Sequence, residues 1–479
     1  MTNYDFKQIN DPIHGSIHLS ELETSIISTG VFQRLHNVKQ LGLGVLVYPS
    51  ANYSRFSHSI GACHLAGRIV DAINKNLAPN DKRRISDEHK KMYRLGGLLH
   101  DIGHYPFSHT FEYVVEDYYK NSFLHNAGDV NGNREEAKAS YDHEKLGQII
   151  ISNDTELNDV FRHFDIKVEE LKKVFDKSDP EYYLTEILSS DLDCDRLDYL
   201  MRTAHHAGLP YGLVDVNYLV HNMDVDIDNN LCLKRRALRA ADHMLVSRYY
   251  DYMQLPYHKT VAAFEQSLKK VIEFLLDSGD IKCSAIDITE KITCTEWASF
   301  DDQNLVHFIR KANPNNDVIK KHIESVLKRQ PPKLVFCKEK VETEGSYKEL
   351  YNTLIENIES KIEGWAHHFK IDKDLWHVWK PNLSITKCGS FRPLDNTNSE
   401  TISDGIESQL VRIKGIDRTN SEISKPLILC ENTLVGSMAD KKYYGLRVYV
   451  NLIGQDNETR LRKEIEDKIR NDIPTAVQT

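Results

Sequence analysis

Apolar residues along this chain recur mostly at helical spacing, and the exceptions gather toward its C-terminal end. Residues 4–20 read as a short extended lead-in, with DPIHG as a turn and IHL as a brief strand. Ser20 and Glu23 have capping-box spacing. Ile26, Ile27, Val31, Phe32, Leu35 and Val38 then follow a period near 3.6, with Gly30 weakening the middle. That helix is expected to end at KQLGLG, where glycines allow a tight turn at Gln40. A second helix runs from about Arg55 to Ile73, with Ile60, Leu65, Ile69 and Ile73 inward and His58 in its first turn. Residues 79–88 form a charged loop, and KMYRLGGLLH after it is apolar enough for a buried helix.

Gly103 and Pro106 break that helix, because proline lacks an amide donor and disfavours helix at Tyr105. A new helix is expected from Pro106, which places His109 and Glu112 three apart on one face. NAGDVNGNREEAKAS reads as a flexible loop or lid, and His143–Glu144 opens the next helix. From Ile187 to His206, Asp191, Asp195 and Asp198 fall on one helical face. Residues 237–276 form long helices kinked near Pro256, and residues 280–330 and 345–372 continue helical and charged. From about 375 short β-branched and aromatic runs take over, as in SITKCGSFRPL, QLVRIKGI, KPLILC and YYGLRVYVNLI. DNTNSETISDGIES reads as a loop, 375–455 as a small β-containing region, and 456–470 as a short charged helix.

Composition narrows the class. The 479 residues are 40% hydrophobic and 28% charged, a globular balance with length for two to three domains. No apolar run approaches the ~18 residues of a membrane span, and MTNYDFKQIN lacks the basic-then-apolar order of a secretory signal. The eight cysteines contain no CxxC pair, which argues against a zinc ribbon or disulfide framework and fits a reducing cytoplasm. A net charge of −10 gives no global pull toward nucleic acid. Local basic clusters at 82–84 and 234–239 read first as solvated surface.

The chemistry concentrates in His100 to Glu112, HDIGHYPFSHTFE. An adjacent His-Asp pair sets an imidazole nitrogen and a carboxylate oxygen in one small volume, which suits Zn, Mn, Fe or Co better than Ca. An isolated pair of this kind is often only a capped helix end. His58 alone would be a satisfied polar group, and His143–Glu144 is also an ordinary helix-opening composition. Carboxylates at 191, 195 and 198 repel one another unless Arg196, Arg202 or a metal offsets them, and spacing does not choose among the three.

The blocks NDPIHGSIHLSELE, FQRLHNVKQLGLG, SRFSHSIG, LLHDIGHYPFSHTFE, DHEKLG and DCDRLDYLMRTAHHAG, in that order, resemble the HD-domain deoxynucleoside triphosphate triphosphohydrolases. The likeness covers about residues 9–260, and less clearly reaches 370. It implies a mostly α, HD-domain helical phosphohydrolase fold with a small β-containing C-terminal region. Residues 1–50 would be a lead-in and first helix, and 51–210 the metal-dependent core. Residues 211–372 would be a helical continuation completing the nucleotide site, and 373–479 an α+β region of unassigned role. The implied reaction is hydrolysis of dNTPs to deoxynucleoside and inorganic triphosphate.

Residue by residue, the resemblance implies His58, His100, Asp101 and Asp195 as metal ligands, selecting Asp195 as the aspartate before Arg-Leu-Asp-Tyr. His109 and Glu112 match a His-x-x-Glu pair tied to catalysis in bacterial members. His104 and His143 match histidines that meet the phosphates, His143 as general acid. Arg55, Arg196 and Arg248 match phosphate-binding positions, where arginine suits bidentate geometry. Gln40 matches the reader of the sugar 3′-hydroxyl, and Tyr199 a tyrosine whose bulk favours deoxyribose; Tyr252 joins the substrate-binding set. The implied cofactors are a divalent metal (Mn, Fe, Zn or Ni) at the HD pair and Mg²⁺ carried by the nucleotide. Expected partners are the dNTP, further copies of the chain as a dimer, tetramer or hexamer, an allosteric nucleotide and single-stranded nucleic acid, with no membrane.

Three positions depart from the pattern. Thr203 stands where an Asp usually helps Gln40 hold the 3′-hydroxyl, and Pro256 where many relatives have a tyrosine. Ser28 and His36 replace the Asp and Arg that read an activating guanine nucleotide in vertebrate relatives, which argues against activation by that route. The rival readings are a phosphohydrolase acting on another nucleotide (monophosphate, cyclic or signalling) and a nucleotide- or nucleic-acid-binding regulatory protein.

Overall fold

The Ser20 hydroxyl accepts from the Glu23 N–H at 3.2 Å, and Glu23 Oε2 accepts from the Ser20 N–H at 2.8 Å. This capping box starts α1 (Glu21–Ile27). A computed structural model describes residues 6–125, 141–176, 179, 181–384, 410–416, 422–430, 432–439 and 441–473. NAGDVNGNREEAKAS and DNTNSETISDGIES, both expected as loops, lie outside the described residues.

Helix α1 does not run on to Val38 as its periodicity suggests. The Ser28 hydroxyl bonds back to the Thr24 carbonyl at 2.7 Å and the Thr29 hydroxyl to Ile26 at 2.8 Å, a local competition with the helix ladder. The Gly30 N–H is taken by Glu156 Oε2 at 2.7 Å. A four-residue helix over Gly30–Gln33 and a 3₁₀ turn over Arg34–Asn37 then carry the chain to Gln40. Before α1, strands β1 (Lys7–Asp11) and β2 (Gly15–Leu19) pair antiparallel. The Asp11 carboxylate caps their turn by accepting from the Ile13 and His14 N–H groups at 2.9 and 3.0 Å.

The helical core is built on α2 (Arg55–Asn76), α3 (Asp87–Leu99), α4 (His109–His125), α5 (His143–Asn153) and α6 (Cys194–Ala207). Ile60, Leu65, Ile69 and Ile73 of α2 are all buried, as their spacing predicts. They join one large apolar cluster with Leu98, Phe111, Leu197 and Leu268. Long helices α7 (Leu238–Gln254) and α8 (Lys259–Asp277) follow, separated by the turn around Pro256.

The C-terminal third departs from its expected layout. The stretch expected as one β-containing region contributes to two separate sheets. Strands β3 (Met223–Val225) and β4 (Leu231–Lys234) pair antiparallel, β4 pairs parallel with β8 (Arg412–Ile416), and β8 pairs with β9 (Glu422–Pro426). Leu410, Val411 and Ile413 thereby enter the main core. The other sheet has β10 (Lys441–Val450) between β5 (Lys333–Thr343) and β6 (Trp376–Trp379), with β7 (Asn382–Ser384) also on β10. Helices at Glu344–Glu359, Ile362–Phe369 and Glu458–Asp472 add Leu354, Trp365 and Ile465 to a second apolar cluster around this sheet. The fold is mostly helical with small sheets. No helix among the described residues is long and apolar enough to cross a membrane.

Candidate active site

His100 and Asp101 sit at the C-terminal end of α3, where helical turns end and side chains can converge with those of neighbouring helices. His58, on the first turn of α2, places Nε2 3.2 Å from His100 Nε2 and 3.0 Å from Asp195 Oδ1. Asp101 Oδ2 lies 3.6 Å from the same His58 nitrogen. Two ligands at 2.0–2.1 Å from one metal stand roughly 2.8–3.4 Å apart in octahedral or tetrahedral geometry, so the His58–His100 and His58–Asp195 spacings match the edges of a coordination polyhedron, and the Asp101 spacing is slightly longer. His58, His100 and Asp195 each offer an atom within 4.8 Å of the others.

The tautomers agree with that use. His58 Nδ1–H donates to Asp198 Oδ2 at 2.7 Å and His100 Nδ1–H to the Gly97 carbonyl at 2.9 Å, so both rings turn Nε2 to the centre. Burial opposes charge on His58, but Asp195 and Asp198 outweigh it and raise its pKa to about 10. Burial likewise opposes ionisation of Asp195, yet His100 and His58 hold its carboxyl far below the usual range. The cluster is thus a pocket of negative potential that protons or a divalent cation offset.

Asp198 is not on the ligand ring; it lies behind it. Its carboxylate also meets His14 Nε2 at 2.7 Å and Arg202 Nε and Nη2 at 2.8 Å each. Arg202 reaches on to Asp11 Oδ2 at 2.7 Å. The N-terminal hairpin is therefore tied through Asp198 to His58. A Cβ at Gly61 would lie 1.9 Å from Asp198 Oδ1, so the close approach of α2 and α6 needs glycine there.

The loop after the His-Asp pair corrects one expectation. Helix α4 starts at His109 rather than Pro106, because Phe107 and Ser108 both adopt φ of 55°. This left-handed pair is held from two sides. The Phe107 N–H donates to Asp302 Oδ1 at 2.7 Å, and Arg55 Nε and Nη2 donate to Ser108 Oγ at 3.0 and 2.9 Å. Arg55 Nη1 also donates to Asp101 Oδ2 at 2.5 Å.

His109 and Glu112 do share a face, and Glu112 bridges outward. Its Oε2 accepts from His109 Nδ1 at 3.1 Å and its Oε1 from His143 Nδ1 at 3.0 Å. His143 stacks on His104 with ring centroids 3.9 Å apart, and His104 Nε2 meets Asp101 Oδ1 at 3.2 Å. Burial disfavours charge on His143, but Glu112 raises its pKa nonetheless. Burial together with the positive charges of Arg55 and His143 holds His104 neutral. The site thus contains one imidazole biased to keep a proton beside one biased against it.

A cavity of about 1440 Å³ opens over both clusters. Gln40, Arg55, Arg196, Tyr199 and Tyr252 line it, as do His104, His109 and His143. Arg248 is not on the lining; Asp191 Oδ1 holds Arg196 at 2.8 Å and Arg248 behind it at 3.4 Å. Asp191 also lies outside the helix, because α6 begins at Cys194 with Asp193 as its cap. The three aspartates thus have three separate placements. Sequence reasoning did not single out His14, Asp251 or Asp302. His14 had a signal in the DPIHG turn, whereas Asp251 and Asp302 sit in ordinary helical sequence.

Known proteins place this architecture. Residues 55–203 match the HD domain and residues 214–374 the HD associated region. The chain is 29% identical over 323 residues to the uncharacterised protein YwfO of Bacillus subtilis strain 168, covering 65% of this chain and 68% of that one. It is 30% identical over 274 residues to the SAMHD1 homolog of Dictyostelium discoideum, named as a deoxynucleoside triphosphate triphosphohydrolase; that match covers 56% of this chain and 48% of the relative. A crystal structure of a phosphohydrolase from Bacteroides thetaiotaomicron has the same fold, with a TM-score of 0.66 at 21% identity over 93% of this chain and 99% of that one. The chain therefore carries an HD domain followed by an HD associated region, on the mostly helical fold of the HD phosphohydrolases; such a domain implies a divalent-metal site, and the histidine–aspartate cluster offers donors that could hold the ion.

Proposed function

We propose that this HD-type metal-dependent phosphohydrolase converts deoxynucleoside triphosphates to deoxynucleoside and inorganic triphosphate. The observation that carries the reading is His143, paired with Glu112, on the lining of the same cavity as His100 and Asp195 of the His58–His100–Asp195 cluster. A structural metal would not need a second histidine–carboxylate pair at its side. The likeness to a relative named for this reaction supports the choice of substrate.

A divalent cation held by His58, His100, Asp101 and Asp195 would supply Lewis acidity to the phosphate being attacked. The chain's own residues do the rest. Water adds to the α-phosphorus, the bond from phosphorus to the 5′ oxygen breaks, and that oxygen must gain a proton. His143 holds one at Nε2, with Nδ1 paired to Glu112. Arg55 and Arg196, both on the cavity lining, offset triphosphate charge. His104 and His109 face the same phosphates, and Gln40, Tyr199 and Tyr252 line the nucleoside side of the cavity. Arg248 steadies Asp191 from behind. Mg²⁺ arriving with the nucleotide, a homo-oligomeric assembly, an allosteric nucleotide, single-stranded nucleic acid as a further partner and a cytoplasmic setting belong to the same reading.

The test is product analysis with Mg²⁺ or Mn²⁺ and each dNTP, singly and mixed, with His100→Ala and Asp101→Ala as controls. Triphosphate plus deoxynucleoside, lost in both controls, is the expected result. Release of monophosphate or phosphate from another nucleotide would overturn it. Thr203, at a position where the resembling family usually has an Asp, favours that second reading.

A further inference from the structure

Asp251 lies on the lining of the same cavity, and no step above uses it. It belongs to α7 and is 4% exposed. Its Oδ1 accepts from the Tyr211 hydroxyl at 2.5 Å. Burial pushes this carboxyl up to about 7, with Tyr211 and Arg248 offsetting only part of the rise. Arg248, on the same helix, is instead within 3.4 Å of Asp191. A buried carboxyl supported mainly by a neutral hydroxyl is costly, unless a ligand completes its hydrogen bonding.

The neighbouring wall has matching chemistry. Tyr53 and Thr203 pair hydroxyl to hydroxyl at 2.5 Å, and both line the cavity. The Gln40 N–H donates to the Tyr53 carbonyl at 3.2 Å, which seats Gln40 beside this pair. Gln40 Oε1 is buried and has no hydrogen-bond partner among the described residues. Tyr199, one turn before Thr203 on α6, feels the charge of Asp251, as does Tyr53. Gln40, Tyr53, Tyr199, Thr203 and Asp251 thus share one polar end of the cavity. Thr203 is a neutral hydroxyl already tied to Tyr53, so the acidic acceptor at this end comes from the facing helix.

We propose that Asp251, held by Tyr211, is a specificity-determining residue that accepts a hydrogen bond from the 3′-hydroxyl of the bound deoxynucleotide, with the Gln40 amide facing the same hydroxyl. The inference rests on the dNTP reading, because the 3′-hydroxyl is the one free sugar hydroxyl such a substrate has. Gln40 presents a donor or an acceptor by a half-turn of its amide, so the hydroxyl can donate to Asp251 and accept from Gln40. A site built to bind a hydroxyl rejects analogues lacking it, since its polar groups are then left unpaired.

The experiment compares kcat/KM for a dNTP and the matching 2′,3′-dideoxynucleoside triphosphate, in the unsubstituted enzyme and in Asp251→Ala. The unsubstituted enzyme should prefer the dNTP, and Asp251→Ala should shrink that preference by about tenfold or more, in line with a hydrogen bond to a charged group. If Asp251→Ala does not fold, Asp251→Asn keeps the shape and should still shrink the preference several-fold, mainly through KM. No preference in the unsubstituted enzyme, or one unchanged by substitution, would overturn the role. A ribonucleotide preference that the substitution removes would move the contact to the 2′-hydroxyl and overturn the 3′ assignment. If no triphosphate is turned over, the proposed function fails. The same comparison is then read by calorimetry with 2′-deoxynucleosides and 2′,3′-dideoxynucleosides: loss of discrimination in the variant supports Asp251, and equal or no binding by the unsubstituted protein refutes it.

Discussion

Asp198 Oδ2 accepts the Nδ1 proton of His58 at 2.7 Å, and this contact decides which nitrogen of His58 faces His100 and Asp195. The same carboxylate binds His14 and Arg202, and the side chains of Asp198 and Arg202 are both fully buried. Asp198→Ala would take from Arg202 the carboxylate it grips through two nitrogens and leave it only Asp11, a loss of about 3–5 kcal/mol for a broken buried pair. It would also free the His58 ring, and loss of such an orienting partner lowers metal affinity about 10–100-fold. Chemical denaturation and metal content after dialysis measure the two effects. A variant that keeps both its stability and its metal would show that Asp198 does not position His58.

Gly103 marks a second close approach. A Cβ there would stand 2.1 Å from the His143 carbonyl oxygen and 2.4 Å from the Gly147 nitrogen, both backbone atoms. Gly103→Ala must therefore push α5 away, and His143 with it, while His58, His100 and Asp195 stay in place. Turnover should fall at least about tenfold, since a shift of about 1 Å is enough to cost that much. Metal content should be unchanged. Loss of metal together with activity would mean that the damage is general rather than confined to His143.

How much of this was legible depended on distance along the chain. The His100–Glu112 stretch declares itself because its chemistry is local, and Ser20–Glu23 because a capping box spans three residues. Spacing did not separate Asp191, Asp195 and Asp198, because whether Asp191 is helical depends on the cap at Asp193. Periodicity also says nothing about which strands pair. The partnership of β4 with β8 joins Cys232 to Arg412, and that of β10 with β5 joins Val448 to Phe336. Asp251 read as one residue of a tyrosine-rich helical core, and only its contact with Tyr211, 40 residues away, sets it apart. Phe107 and Ser108 hid the true start of α4, since neither residue type announces a positive φ.

The His58, His100, Asp101 and Asp195 cluster should couple metal binding to folding. A cation that binds only the folded chain stabilises it by about 2.7 kcal/mol at a hundred times its Kd. Thermal melts with and without Mn²⁺ should show the gain, and His100→Ala and Asp195→Ala should each abolish it. Chelation should remove turnover, and added Mn²⁺ should restore it. A melting temperature indifferent to every divalent cation tried would place the metal elsewhere.

Glu112 sets the sign of the pH dependence expected of turnover. Burial alone would lower the pKa of His143, and the Glu112 carboxylate, 3.0 Å from Nδ1, raises it instead. His143 therefore keeps its proton to higher pH than a free imidazole does. If that proton goes to the leaving 5′ oxygen, kcat stays high below the raised pKa and falls as pH rises through it. Glu112→Gln removes the charge that holds the proton, so the falling limb should move to lower pH, with a smaller loss of rate at acid pH than at pH 8. His143→Ala should remove the limb altogether. His109→Ala tests the other side of the carboxylate: it takes away one donor to Glu112 and leaves the His143 contact intact. Its limb should therefore stay near the unsubstituted position even where the rate drops. A falling limb that keeps its position in Glu112→Gln would show that the group titrating there is not His143.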